Sequence, residues 1–227
     1  MLDERQHAGE EHLDAGSVAR FDNRMPFDPT EEVDRLLALG LDDGDTVIDF
    51  GAGTGVFALA VADHCHRVVA VDVSEPMLAH LREQIEEHGI QNVDPVNKGM
   101  VRYEHRDEPA SVVFTKNALH HLPDFWKGEA LKTMGRSLEE GGILRVCDFV
   151  LSFDPHDSHE AIESWIETQR RSTPFSAEEI NVHFREEYST YGFLLESMLE
   201  AVGFEIMEAT YDGDFYAAYT CRWRPDG

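Results

Sequence analysis

Three glycines at alternate positions, Gly51, Gly53 and Gly55 in TVIDFGAGTG, follow a short strand-like run. A glycine-rich turn leading from a strand into a helix offers free backbone N–H groups at the positive end of the helix dipole, so it suits a nucleotide or another anionic group. Two acids narrow the choice. Asp72 lies 21 residues beyond Gly51, at the end of the next β-branched run, where an acid accepts from ribose hydroxyls and indicates a ribose without a 2′-phosphate. Asp49, just ahead of the loop, would repel a diphosphate and suits an ammonium group. A nucleoside carrying an amino acid satisfies both. Val56 stands where the dinucleotide fingerprint needs its third glycine, and no Gly-Lys-Ser/Thr follows for a phosphate-cradling loop. An NAD-dependent dehydrogenase is therefore disfavoured, although three glycines alone would also serve a plain tight turn.

The elements that must hold these residues alternate along the chain. TVIDF (46–50), RVVAVDV (67–73), SVVFT (111–115) and ILRVCDFV (143–150) read as strands, mostly apolar throughout, as in a parallel sheet covered on both faces. SEPMLAHLREQIEEHG reads as a helix capped by Ser74 and stopped at Gly89. A second helix is expected across DFWKGEALKTMGRSLEEGG, with Asp124 as its cap and Gly141 past its end. HDSHEAIESWIETQRR, SAEEINVHFREE and YGFLLESMLEAVGF then give three consecutive helical stretches, and DGD separates two alternating runs as a hairpin. The expectation is an α/β doubly wound, seven-stranded, mostly parallel sheet with a C-terminal antiparallel hairpin. It is expected to form one domain over residues 1–227, with a lid segment at 1–28 and a helical insertion at 152–190 covering the site.

Composition bounds the setting. The 227 residues hold 45 acidic and 19 basic side chains, a formal net charge of -26, with only four lysines. A carboxylate-rich, lysine-poor surface stays hydrated in molar salt, where the screening length falls to about 3 Å, and the expectation is a salt-loving organism's cytoplasmic protein. The three cysteines have no paired spacing, and a reducing compartment suits them. No apolar run reaches the ~20 residues of a membrane span, and the N-terminus has no basic start leading into an apolar stretch. Neither export nor a membrane is expected.

VIDFGAGTG, VVAVDVSEPML, NALHHL and SLEEGGILRVCD together resemble the successive signature stretches of the class I S-adenosylmethionine-dependent methyltransferases, over about residues 45–150. The resemblance implies a Rossmann-like methyltransferase fold and S-adenosyl-L-methionine as cofactor. It places Asp49, Gly51 and Gly53 at the methionine part, Asp72 at the ribose, Gly99 and Met100 at the adenine, and Thr115, Lys116 and Asn117 under the sulfonium, with Ala52, Val73 and Met77 also binding the cofactor. Many relatives carry an aspartate after the third strand for the adenine amine; here Gly99 takes that place, with Met100 next to cover the ring.

Methyl transfer from a sulfonium asks mainly for an acceptor held in line and for exclusion of water; a base is needed only when the acceptor must lose a proton. His120, His121 and Asp148 are the candidates, each with local packing as the alternative. Metal binding through His64 and His66, or through His120, His121 and Asp124, matches no strong spacing, and no metal is expected. Phe21, Trp126, Trp165 and Tyr188 are expected to enclose a small, partly apolar acceptor. No basic stripe suits nucleic acid, and the Asn/Asp-Pro-Pro-aromatic stretch of amino-methylating nucleic-acid enzymes is replaced by TKNA. A non-catalytic protein that binds the cofactor as a sensor or assembly partner is the alternative function; oligomeric state is left open.

Overall fold

A computed structural model describes residues 2–9, 13–24, 26–173, 180–181 and 184–225. Among them are eight strands: β1 (Thr46–Phe50), β2 (Arg67–Asp72), β3 (Val93–Asn97), β4 (Ala110–Lys116), β5 (Leu138–Leu151), the two-residue β6 (Thr190–Tyr191), β7 (Phe204–Asp212) and β8 (Tyr216–Trp223). The sheet runs β3-β2-β1-β4-β5-β8-β7, with β6 beside β5. β3, β2, β1, β4 and β5 pair in parallel, whereas β8 pairs antiparallel with both β5 and β7. The expected α/β class, mostly parallel sheet and final hairpin are all present; β6 is the addition.

Seven helices of more than one turn accompany the strands in the described residues: α1 (Ala15–Arg24), α2 (Thr30–Ala38), α3 (Val56–Val61), α4 (Glu75–His88), α5 (Asp124–Ser137), α6 (Ser158–Ser172) and α7 (Gly192–Val202). Side-chain alternation along β1 sorts the core into two layers. Ile48 and Phe50 pack with Leu131 and Met134 of α5 and Leu195 and Leu199 of α7, while Val47 packs with Leu36 of α2, Phe57 of α3 and Leu78 and Leu81 of α4. Apolar residues on both faces of the strands are what this sandwich of helix, sheet and helix demands.

α4 begins as read: the Ser74 hydroxyl accepts from the Met77 N–H at 3.2 Å, and Gly89 closes the helix in the left-handed conformation. α5 departs from its expectation. It stops at Ser137, and Leu138–Gly142 belong to β5, where Leu138 sits opposite Ala110 and the register slips before Ile143 meets Val112. Nor does Asp124 cap α5; it is the first helical residue, and its carboxylate receives the Lys127 ammonium at 2.8 Å. Of the expected helix SAEEINVHFREE, residues 176–179 and 182–183 lie outside the described residues; Ile180, Asn181, Phe184 and Arg185 are helical.

The strand order reverses between β2-β1 and β1-β4, so the chain leaves neighbouring strands in opposite directions there and opens a crevice at their carboxyl ends. The glycine loop leaves β1 at that point.

Candidate active site

The crevice deepens into a cavity of about 360 Å³, within the size range of small-molecule sites. The loop on its floor is fixed by two amides: the Gly51 N–H donates to the Val71 carbonyl at 2.8 Å and the Ala52 N–H to the same oxygen at 3.2 Å. Gly51 has a φ of 75°, and a Cβ there would come within 2.5 Å of the Ala118 Cβ. Glycine is required on both counts. Gly51→Ala is expected to cost about 1 to 3 kcal/mol of stability through overpacking and backbone strain, checked by denaturant unfolding.

Asp49 ends on the cavity wall, 2% exposed. Among the described residues none donates a hydrogen bond to its carboxylate. Burial, with the charge of Asp72 nearby, holds its carboxyl well above the usual carboxylate range. Asp72 is better served, accepting from the Gly53 N–H at 2.9 Å and the Ser74 N–H at 2.7 Å. Among the described residues, Glu4, Asp22, Asp49 and Asp72 line the cavity with Lys98 and Lys116 as the lysine and arginine side chains there. A buried acid without a donor inside a predominantly acidic wall fits a ligand that brings its own positive charge and N–H groups. S-adenosylmethionine has both, and the residues present fit it.

The end of β4 forms the opposite wall. Lys116 Nζ donates to the Tyr216 hydroxyl at 2.6 Å and lies over the rings of Phe27 and Tyr216, 4.7 and 4.9 Å from their centroids. The Tyr216 hydroxyl in turn donates to Asn117 Oδ1 at 2.9 Å. Asn117 has a φ of 50°, the only non-glycine with positive φ among the described residues. Backbone strain of this kind collects at ligand sites. Burial pushes the Tyr216 phenol far above its ordinary value, so it stays protonated.

The sequence candidates divide. Asp49, Gly51, Ala52, Gly53, Asp72, Val73, Met77, Met100, Lys116, Asn117, His121 and Phe21 line the cavity. Gly99 does not, since the Glu4 carboxylate covers it, and Thr115 is buried with its hydroxyl unpartnered in the strand interior. His120 and Asp148 are likewise off the wall. They form a buried pair, His120 Nδ1 to Asp148 Oδ1 at 2.5 Å, while Asp148 Oδ2 accepts from the N–H groups of Ala118, Leu119 and His120. Burial opposes both charges, yet each group stabilises the other: the His120 pKa is raised and that of Asp148 lowered. The Asp148 carboxylate holds the turn that carries His121, and neither member of the pair reaches the cavity wall among the described residues. His120 Nε2 lies 3.6 Å from Glu187, and the donor atoms of His120, His121 and Glu187 fall within 4.8 Å of one another; Glu187, not Asp124, accompanies the histidines.

Three of the four expected acceptor residues are elsewhere. Trp165 stacks on Phe215 at 5.0 Å, Trp126 meets Phe125 edge-on, and Tyr188 is 39% exposed beside His7. Among the described residues, 152–190 contribute nothing to the cavity wall; Trp165 of α6 packs instead on Phe149 and Phe215. Polar and aromatic residues unforeseen as site residues in the sequence include Glu4, Asp22, Phe27, Lys98 and Tyr216. Asp22 was within reach, one position after Phe21, and it accepts from the Thr54 hydroxyl of the glycine loop at 2.6 Å.

Residues 47–142 match the family described as a methyltransferase domain. An uncharacterized methyltransferase of Staphylococcus carnosus is 34% identical over 107 residues, 45% of this chain and 46% of that protein; one from Geobacillus sp. (strain WCH70) is 27% identical over 157 residues, 69% of this chain and 68% of its own length. The chain thus spans about half the length of the first relative. In fold it is similar to the magnesium protoporphyrin IX methyltransferase ChlM from Synechocystis PCC 6803, solved with bound S-adenosylmethionine, at a TM-score of 0.68 and 14% identity over 98% of both chains.

Proposed function

We propose that this chain, a member of the class I S-adenosylmethionine-dependent methyltransferases, transfers a methyl group to a small-molecule acceptor by in-line displacement. The observation that carries the reading is Asp49, a buried carboxylate facing the cavity without a donor. When bound, S-adenosylmethionine supplies an already activated methyl, so the work left to the chain is binding, orientation and exclusion of water. Asp49 takes the ammonium group, Asp72 the ribose hydroxyls, and Met77 and Met100 the faces of the base. Lys116, Asn117 and Tyr216 orient the acceptor, and Phe21 and Phe27 of the N-terminal segment close over it as a lid. His121 is the imidazole on the cavity wall and takes a proton from acceptors that must lose one. A small acceptor is favoured because the cavity is lined by aromatic rings and the chain carries a net charge of -26, which repels a phosphate backbone. The same charge and the scarcity of lysine support a cytoplasmic protein adapted to high salt.

Isothermal titration in molar KCl tests the reading. S-adenosylmethionine and S-adenosylhomocysteine are expected to bind and NAD to leave the protein unchanged; NAD binding in their place overturns the assignment. Asp72→Ala is expected to lose at least about 1.5 kcal/mol of affinity for either compound, through the unpaired ribose hydroxyls. Unchanged affinity would mean that the ribose lies elsewhere.

A further inference from the structure

Glu4 belongs to a single 3-10 turn, Glu4–His7, at the start of the described chain, yet it is among the most buried charged residues, 7% exposed. Both carboxylate oxygens accept from the Val101 N–H, at 3.2 and 3.4 Å, and the turn is tied down a second time where Arg102 Nη2 donates to the Leu2 carbonyl at 2.7 Å. The carboxylate forms part of the cavity wall together with Ala8, Met77, Lys98 and Met100. The amides of Met100, Val101 and Arg102 all face this carboxylate; with two lone pairs on each oxygen it still keeps an unused acceptor position, on the wall of a ligand cavity.

Its neighbour across the turn is Gly99. A Cβ on Gly99 would lie 2.1 Å from Glu4 Oε1 and 2.2 Å from Glu4 Cδ. A side chain at position 99 and the Glu4 carboxylate therefore exclude one another: the pocket has room for one acid, and here it arrives from the N-terminus. With the ribose at Asp72 and Ser74, the wall that follows is formed by two flexible thioethers, Met77 and Met100, and this carboxylate. The thioethers make the slot apolar, with the Glu4 carboxylate as its acceptor and Lys98 on the same cavity wall. A flat heterocycle bearing an exocyclic amine complements it, whereas the same ring with an oxo group in that position presents an acceptor to an acceptor and is repelled.

We propose that Glu4 is the acceptor for the exocyclic amine of the cofactor's adenine, so that the N-terminal turn sets the purine specificity of the site. The inference rests on the cofactor orientation given above. It makes the segment before α1 part of the cofactor site as well as a cover for the acceptor.

Titration calorimetry with S-adenosylhomocysteine and its 6-oxo counterpart, S-inosylhomocysteine, tests it without any methyl acceptor. The native protein is expected to bind the amine form about 30-fold more tightly, the size of one hydrogen bond to a charged group. In Glu4→Gln the preference is expected to shrink to about 3-fold, because an amide can accept from the amine or donate to the oxo group. Glu4→Ala combined with Gly99→Asp is expected to recover most of the preference, since the acid then comes from the vacated position. Thermal unfolding of each ligand-free variant separates binding from folding, and the isosteric Glu4→Gln keeps the test alive if the alanine variant unfolds. An equal preference in the native protein and Glu4→Gln overturns the proposal, even if the variant melts earlier, because a purely structural Glu4 would shift stability and leave the ratio alone. Failure of the native protein to bind either compound overturns the cofactor reading instead.

Discussion

Asp49→Asn is expected to give a protein that melts at a higher temperature without ligand and binds S-adenosylhomocysteine about 10- to 100-fold more weakly. Both effects come from one feature, a carboxylate 2% exposed that receives no hydrogen bond from the described residues and faces the charge of Asp72. Removing a buried, uncompensated charge relieves desolvation and repulsion together. A gain of at least about 1 kcal/mol, or roughly 2 to 4 °C in a chain of this size, is expected by scanning calorimetry at neutral pH. Because the folded pKa lies above the unfolded value near 3.8, protonated Asp49 favours folding below that pH, and the contribution is lost as pH rises through the folded value. The thermal advantage of Asp49→Asn should therefore shrink in acid. On the ligand side the variant loses a charge-assisted bond to an ammonium group, worth about 1.5 to 3 kcal/mol. A variant both less stable and equally tight in binding would show that the carboxylate has a protein partner and that the ammonium group sits elsewhere.

Asp148→Ala is expected to be the more damaging change, costing about 3 to 5 kcal/mol of folding free energy. Asp148 is 1% exposed, and its carboxylate accepts from four backbone amides, those of Ala118, Leu119, His120 and Phe149, besides the His120 ring. Alanine leaves these donors buried without the carboxylate that accepts from them and removes the acid paired with the His120 ring. Asp148→Asn, which retains one acceptor oxygen, should recover part of the loss, and urea unfolding of the two variants separates geometry from charge. The pH dependence follows from the two shifts. Asp148, lowered, contributes stability present above its unfolded pKa near 3.8 and lost as pH falls through the folded value; His120, raised, contributes stability present below its unfolded pKa near 6.5 and lost as pH rises through the folded value. The native protein should be most favoured over Asp148→Ala between those limits. A flat difference across pH would mean that the pair carries no charge.

Local chemistry made the glycine-loop side of the cavity legible. β-branched, mostly apolar runs read as strands covered on both faces, and Asp49, Gly51 and Asp72 stand at the ends of two of them, where the cavity opens. The wall at the end of β4 was not legible, for a physical reason: Tyr216 reaches Lys116 and Asn117 from 100 and 99 positions away, through the antiparallel pairing of β8 with β5. Aromatic density in residues 152–190 announced burial without saying against what, and Trp165 turned out to pack on Phe149 and Phe215. Glu4 was hidden differently. It lies in a charged opening stretch that reads as solvent-exposed, and its importance shows only where the chain returns to Gly99.

The pairing of β8 with β5 also restricts how the hairpin can vary. Along β8, Ala217, Tyr219 and Cys221 enter the layer beneath α5 and α7, while Tyr216 and Ala218 pack against the opposite layer. An insertion of one residue within the strand would turn every side chain beyond it to the other face, moving the phenol away from Lys116 or burying alanines where tyrosine belongs. Substitutions in the last strand can therefore accumulate freely only at constant length, and indels belong in the Gly213 bend, where a change of loop leaves the parity of Tyr216 intact.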